Sequence, residues 1–301
     1  MASSVHFPPA VQLVALTRFG GMTPRMFDLL FQRFGDLGGI LDASIESLQT
    51  INGISATAAK KLANAHKHLE KSAAFVSELQ DRDIRIRTRF DADYGTLLSE
   101  LNDPPPLLYL RGKMPNPAAK SVTLVGTDAA TERGIDLTTR VARLFGEAGV
   151  QVVSTLTGGN DAAAHLGARA AGGLSYAVID TGFDHIALAE EMPLAIDIAR
   201  NGGLLSEYPP DFDIEKSTLE DSDRLLVALG QAVVVTEVYT GSQRTRDIIE
   251  FCKQIGKMGF LVIDPAYGPL ADQNSVELAM RSGVIPMEGL ERVQDIIKVL
   301  V

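Results

Sequence analysis

From Ser121 to Val301 short apolar runs alternate with helical patterns, and this alternation restricts the fold more than any other feature of the chain. Strands are expected near residues 121–126, 150–154, 175–180, 203–206, 231–236, 258–263 and 284–286, with helices between most of them. That order predicts a doubly wound parallel sheet. Two of the strands run into glycine turns: Ser121–Val125 stops at Gly126-Thr127-Asp128, and Val150–Ser154 is followed by Thr157-Gly158-Gly159-Asn160-Asp161. In an open parallel sheet such turns lie side by side at the carboxyl edge, where backbone N–H groups and helix dipoles favour a phosphate-bearing ligand. Gly126, Thr127, Gly158 and Gly159 are therefore candidate contacts for a nucleotide or a nucleic-acid backbone.

A chain of 301 residues exceeds what one core usually organises, so two domains are expected. Hydrophobic residues make up 46% and charged residues 22%, the balance of a globular and not a disordered protein. No apolar run reaches the roughly 18 residues that would span a bilayer. The start, Met1-Ala-Ser-Ser-Val-His-Phe-Pro-Pro9, lacks a charged segment followed by an apolar one. The expectation is a cytoplasmic protein that does not engage the membrane. The single Cys252 cannot form an internal disulfide, and its helical surroundings read it as a small core residue; a nucleophilic role would need a neighbouring base that the sequence does not advertise.

Charge separates the chain into parts. Net charge is −10, yet residues 1–80 carry 7 Lys/Arg against 6 Asp/Glu, and residues 81–120 carry the same. Residues 121–301 carry 14 against 26. A phosphate backbone would be repelled there except at a local basic pocket, so any nucleic-acid site in this part is expected to be small and focused.

Residues 1–80 read as a helical domain: Val11 to Phe19, Pro24 to Phe34, a turn near Asp36, Ser44 to Gln49, and a longer helix from Ser55 to about Leu79. Pro24 after Thr23 favours a helix start, and Ser55 is a good amino-terminal cap. Leu48 to Lys61 is a helix, a turn containing Gly53 and a second helix, which resembles a helix-hairpin-helix unit; Lys60 and Lys61 stand where charge would support a phosphate held by the turn amides. A small helical bundle for protein contacts fits the same pattern. Residues 81–120 form a connecting segment. There Ile84-Arg-Ile-Arg-Thr-Arg-Phe90 alternates like a half-exposed strand, and Asp103-Pro-Pro-Pro106 sets up the strand entering the sheet domain, residues 121–301. Arg85, Arg87 and Arg89 share one face, open either to phosphates or to the role of blunting an edge strand.

With these pieces in order, the chain resembles the DprA/Smf family of bacterial DNA-processing proteins over nearly its whole length. The resemblance rests on Tyr94 with Leu97-Leu98, Asp103-Pro-Pro-Pro-Leu-Leu-Tyr-Leu-Arg-Gly112, Leu124-Val-Gly126, Val152-Val-Ser154, and Asp161-Ala-Ala-Ala-His165. It continues through Gly203-Leu-Leu-Ser-Glu-Tyr-Pro209, Asp223-Arg224, Gly241-Ser242 with Thr245, and Asn274. It implies an α/β protein: a Rossmann-like, doubly wound parallel sheet preceded by a small all-helical domain of SAM or helix-hairpin-helix type. It also implies a protein that binds single-stranded DNA, protects it during uptake and helps load the RecA recombinase, as a homodimer through the sheet domain. Neither an enzyme nor a cofactor or metal is implied.

Departures fall where the family binds DNA. The family's arginine after the first glycine turn is here Asp128, its second loop carries Gly158 at a position often filled by Arg or Tyr, and one of its later arginines is Ser222, leaving Arg224. Asp128 would add a repulsion as well as remove an attraction. Gly241-Ser-Gln-Arg-Thr-Arg246 instead supplies Arg244 and Arg246 where the family usually has Ile and Ala, so the pocket is expected to be rebuilt.

Ser242 or Thr245 could donate to a phosphate at the start of a helix, or Ser242 could cap that helix. Asp161 and His165 share a helix face at the spacing of a metal pair, but a third ligand is missing and a role in shaping the loop 157–160 is the simpler reading. Arg224, at the start of a buried run, needs an anion: a ligand phosphate, or Asp128, Glu207 or Asp223 in an internal pair, which is the expectation. Two other functions compete with DNA binding. One is a nucleotide-binding or protein-interaction scaffold, which the acidic sheet domain suits. The other is nucleoside monophosphate hydrolysis of the LOG type, whose turn is followed by a glutamate three residues after a threonine; here that residue is Ile248, and Glu250 is five along, off the required helix face.

Overall fold

Hydroxyl and carboxylate caps start the helices of the amino-terminal part. The computed structural model describes residues 7–127, 129–186, 192–213 and 216–301, with the backbone alone for 216–221; Asp128 lies outside the described residues. α1 spans Pro9–Val14, α2 Pro24–Phe34, α3 Leu37–Leu41, α4 Ile45–Gln49, α5 Ala56–Ala63 and α6 Leu69–Asp81. Thr23, Asp36, Ser44 and Ser55 each accept a backbone N–H from three residues on, at 3.4, 2.7, 3.2 and 3.2 Å.

Two helix expectations are corrected. The run to Phe19 leaves α1 and ends as a π turn, Ala15–Phe19, closed by Gly20 N–H to the Ala15 carbonyl at 2.9 Å. The helix expected from Ser55 to Leu79 breaks at a 3₁₀ turn, Ala65–His68, because the Asn64 amide donates back to the Lys60 carbonyl at 2.7 Å and closes α5.

The chain forms two compact units, one reaching to Gly95 and including Asn102–Leu110, the other comprising Thr96–Leu101 and Arg111–Val301. The expected connecting segment, residues 81–120, is thus divided between them. β1 (Arg85–Thr88) pairs antiparallel with β2 (Leu107–Gly112), with Ile86 opposite Tyr109, and α7 (Ala92–Leu98) lies between them in sequence. Polar and ring contacts hold this hairpin to the helical unit. Arg89 lies over the Phe27 ring, 4.4 Å from its centre, pairs with Asp28 and donates to the Pro104 carbonyl, while the buried Tyr94 hydroxyl donates to the Pro105 carbonyl. Arg87 faces Asp91 and Asp93 at 3.9 and 3.6 Å.

The second unit is the doubly wound sheet. Its strands are β3 (Ser121–Val125), β4 (Gln151–Thr155), β5 (Ser175–Ile179), β6 (Gly203–Ser206), β7 (Ala232–Val235), β8 (Met258–Ile263) and β9 (Ile285–Glu288). They run parallel in the order β6-β5-β4-β3-β7-β8-β9. Between them come α8 (Glu132–Glu147), α9 (Asn160–Ala170), α10 (Met192–Asn201), α11 (Lys216–Leu229), α12 (Gln243–Gln254) and α13 (Gln273–Arg281), with α14 (Val293–Val299) after β9. Alternation along β3 explains the two covered faces: Val122 and Leu124 pack with Leu137, Val141 and Phe145 of α8 and Ile296 of α14, while Thr123 between them turns to α11 and donates to the Leu226 carbonyl at 2.7 Å.

Strand order reverses at β3, with β4 on one side and β7 on the other. The carboxyl ends of β3 and β7 therefore flank the crevice where folds of this kind receive ligands.

Candidate functional site

That crevice is filled from within. β7 is followed by Thr236-Glu237, and the Glu237 side chain, with 0% of its surface exposed, reaches the start of α8. Its carboxylate accepts from Thr131 Oγ1 at 2.7 Å, the Thr131 backbone N–H at 3.2 Å, Asn160 Nδ2 at 2.8 Å and the Tyr239 hydroxyl at 3.3 Å. Thr131 also caps α8, accepting from Gly134 N–H at 3.0 Å. Only glycine fits at 134, since a Cβ there would overlap the Glu237 carboxylate. Thr138 closes the network between Asn160 Oδ1 at 3.1 Å and Thr236 Oγ1 at 2.6 Å. At the start of α8, beside the first glycine turn, the helix end thus holds a carboxylate of the chain itself.

The residues of that turn are tied to α12. Thr245 Oγ1 donates to the Gly126 carbonyl, and Ser242 Oγ donates to Thr127 Oγ1 at 2.6 Å while accepting from Tyr239 N–H at 3.1 Å. Thr127, Ser242 and Thr245 are all buried. Ser242 precedes α12 without capping it; it and Thr245 fasten the start of α12 to the β3 turn.

At the second glycine turn Gly159 has φ 65°, and a Cβ there would press on Ala130, whereas Gly158 and Gly241 are exposed with open space around them. Asp161 accepts from Thr155 Oγ1 and, at 2.6 Å, from Thr157 Oγ1, shaping the loop. His165 turns away to Ser175 Oγ and the Thr155 carbonyl, at 2.5 and 2.7 Å. Burial lowers the His165 pKa to about 4, only partly offset by the Thr155 carbonyl. The two side chains meet different atoms of Thr155, the hydroxyl and the carbonyl, and among the described residues no cluster of three His, Cys, Asp or Glu side chains is placed to hold a metal.

Both inward arginines meet carboxylates. Arg224 on α11 lies 2.6 Å from Glu207, the internal pairing expected for it. Arg244 on α12 contacts Asp223 through Nε and Nη2 at 2.8 and 2.7 Å. Burial raises the Asp223 pKa to about 6; Arg244 opposes the shift, and Asp161 and Asp180 add to it. Ser222, where the family carries an arginine, is buried. Arg246 is partly exposed and donates to Ser275 Oγ at 3.4 Å. Lys60 and Lys61 belong to the helical unit, exposed on α5. Cys252, on α12, is buried, its thiol pushed up to about 11 by burial.

The structure thus brings Gly126, Thr127, Ser242, Thr245, Arg224 and Arg244 to one sheet edge, mostly facing inward, and leaves Gly158, Gly159, Gly241 and Arg246 at its rim. Sequence reading missed Glu237 and Asn160, the centre of the buried network. The available signal was an acidic residue directly after an apolar strand beside the switch point.

This architecture defines a Rossmann-like α/β protein with a buried carboxylate, Glu237, beside its topological switch point. Residues 85–258 match the family model for DNA recombination-mediator protein A, and the chain belongs to that family. Protein Smf of Synechocystis is 29% identical over 228 residues, 74% of this chain and 57% of that protein. DNA processing protein DprA of Bacillus subtilis is 28% identical over 59% of this chain and 60% of its own length, so the chain aligns with less than two thirds of either relative. The solved structure of DprA from Streptococcus pneumoniae superposes with a TM-score of 0.79, covering 98% of this chain and 99% of that one at 21% identity. A Helicobacter pylori structure, described as showing a single-stranded DNA binding mode of DNA processing protein A, gives 0.61 over 72% of this chain and 97% of its own at 21% identity. Among the described residues no helix is long and apolar enough to cross a membrane.

Proposed function

We propose that the chain is a non-enzymatic, DprA-type single-stranded DNA-binding protein that protects incoming DNA and helps load RecA, working as a cytoplasmic homodimer. The family match across residues 85–258 carries this reading. The Helicobacter pylori protein of similar fold, described as binding single-stranded DNA, supports the choice of ligand.

The side-chain geometry bears on how strong the binding is. Arg224 and Arg244 are neutralised inside the protein, so contact with a strand falls to the rim: the exposed backbone at Gly158 and Gly241 and the partly exposed Arg246. Few cations mean modest affinity with a small salt slope, about −0.7 in log K per log salt for each phosphate neutralised. A protein-interaction or nucleotide-sensing scaffold is the second reading, favoured by these same internal ion pairs and by the excess of acidic residues from Ser121 onward. A LOG-type hydrolase is disfavoured because Ile248 is buried and Glu250 points to solvent.

Titration of labelled oligo(dT) at two salt concentrations separates these readings. Arg246→Ala is expected to weaken binding and flatten the slope by about 0.7, and Arg244→Ala to change it less. No binding by the parent at low salt would put the scaffold first.

A further inference from the structure

We infer that the helical unit carries its own contact face for a single-stranded nucleic-acid backbone, centred on the π turn Ala15–Phe19 and distinct from the Gly53 turn. This rests on the proposed DNA-binding function. Its origin is a segregation of charge: no Asp or Glu occurs before Asp28 or between Glu46 and Glu70, in a chain whose net charge is −10. Folding places parts of these two acid-free segments together. The Phe19 ring stacks on His68, centres 4.6 Å apart and planes within 8°. Lys71 Nζ lies 5.1 Å from the Phe19 ring centre, and Arg18 lies 4.6 Å from that of Phe75, one turn along α6. Lys61 comes alongside at Gly21, its Cδ 3.7 Å from where a Cβ would stand.

Arg18, Lys61 and Lys71 are exposed, and Phe19, His68 and Phe75 are half-buried. Of the three acids on α6, Glu78 faces Arg82 at 3.6 Å and Asp81 ends the helix, while Glu70 adjoins Lys71 in sequence. Cations interleaved with ring planes are the chemistry of strand binding: the cations meet phosphates and the rings accept bases of any sequence. An acidic polypeptide would use the cations without the rings.

Full-length protein tests this with three variants: Arg18→Gln/Lys61→Gln/Lys71→Gln, His68→Ala and Arg246→Ala. Oligo(dT) binding is followed across a salt series, with thermal melts confirming that the exposed substitutions leave the fold intact. The triple variant is expected to flatten the slope of log K against log salt by about 2, at roughly 0.7 per cation. His68→Ala is expected to weaken binding through loss of the ring stacked on Phe19, with a smaller change of slope than the triple variant. Parent-like binding by the triple variant, with loss confined to Arg246→Ala, overturns this inference and leaves the DNA reading standing. A parent that binds no oligo(dT) overturns the DNA reading itself. Capture of poly-glutamate at this face without oligo(dT) identifies an acidic polypeptide as its ligand and also overturns the assignment.

Discussion

Replacing Glu237 with alanine is the most direct test of the closed crevice. The carboxylate is fully buried and receives four donor groups: the Thr131 hydroxyl and backbone N–H, the Asn160 amide and the Tyr239 hydroxyl. Truncation leaves those donors around a void, at about 1–3 kcal/mol for each group left unsatisfied. Water entry and relaxation recover part of that, so about 3–5 kcal/mol is expected. In a unit of this size each kcal/mol lowers Tm by about 2–4 °C, so the melt should fall by about 6–20 °C. The emptied seat keeps its donors and the positive end of α8, so inorganic phosphate should bind there and stabilise the variant but not the parent. At ten times its Kd the ligand returns about 1.4 kcal/mol. Thermal melts of Glu237→Ala and parent in phosphate and in chloride at equal ionic strength measure both effects. A loss below about 1 kcal/mol, or the same melt in both salts, would refute the assignment of Glu237 as the anion of that helix end.

Acid stability should carry two opposed contributions. His165, with its folded pKa lowered to about 4 from 6.5, remains neutral where the unfolded chain takes up a proton, so its contribution is lost as pH falls through that window. Asp223, raised to about 6 from 3.8, retains a proton that the unfolded chain releases, so its contribution grows as pH falls through nearly the same window. Urea melts between pH 4 and 7 should therefore show a steeper acid loss for Asp223→Asn and a shallower one for His165→Asn; matching profiles would refute the opposition. A double-mutant cycle on Arg224 and Glu207, whose side chains are 10% and 8% exposed, should give a coupling above about 1.5 kcal/mol. The exposed Arg140–Asp136 pair, at 61% and 53%, should give less than about 0.5 kcal/mol.

The sheet was legible because most of its strands are short, mainly apolar runs buried on both faces, and β3 to β9 lie where those runs predict them to within a few residues. Helix starts were legible for a related reason, since Thr23, Ser44 and Ser55 satisfy amides of their own helices. Of the two misread helix interiors, the break after α5 has a local mark in Asn64, whereas the π turn before Gly20 depends on tertiary fit. Gly20 packs against Ala65, and nothing local to either residue signals that closeness. At the site, the residues at the turns were identified but their direction was not. Thr245 could as well donate outward as to the Gly126 carbonyl, and the choice was made by a partner 119 residues away in sequence. Glu237 was missed for the same reason: its donors come from α8, α9 and its own loop, three segments that only the sheet order brings together.

Three carboxylates at this edge occupy positions that a phosphate could have used: Glu237 at the start of α8, Glu207 beside Arg224 and Asp223 beside Arg244. They differ in how readily a ligand could displace them. Glu237 has no exposed surface, so exchange there requires the crevice to open. Asp223 and Arg244 are 13% and 14% exposed, and a phosphate reaching Arg244 must break a contact worth a few kcal/mol at an effective dielectric near 20. That costs about three orders of magnitude in affinity. A strand approaching the rim meets no such penalty at Arg246, whose partner is the neutral Ser275 hydroxyl at 3.4 Å. The hierarchy of access therefore runs opposite to depth, and under the proposed function Arg246, outside the crevice, is a more accessible cation for a strand than Arg224 or Arg244.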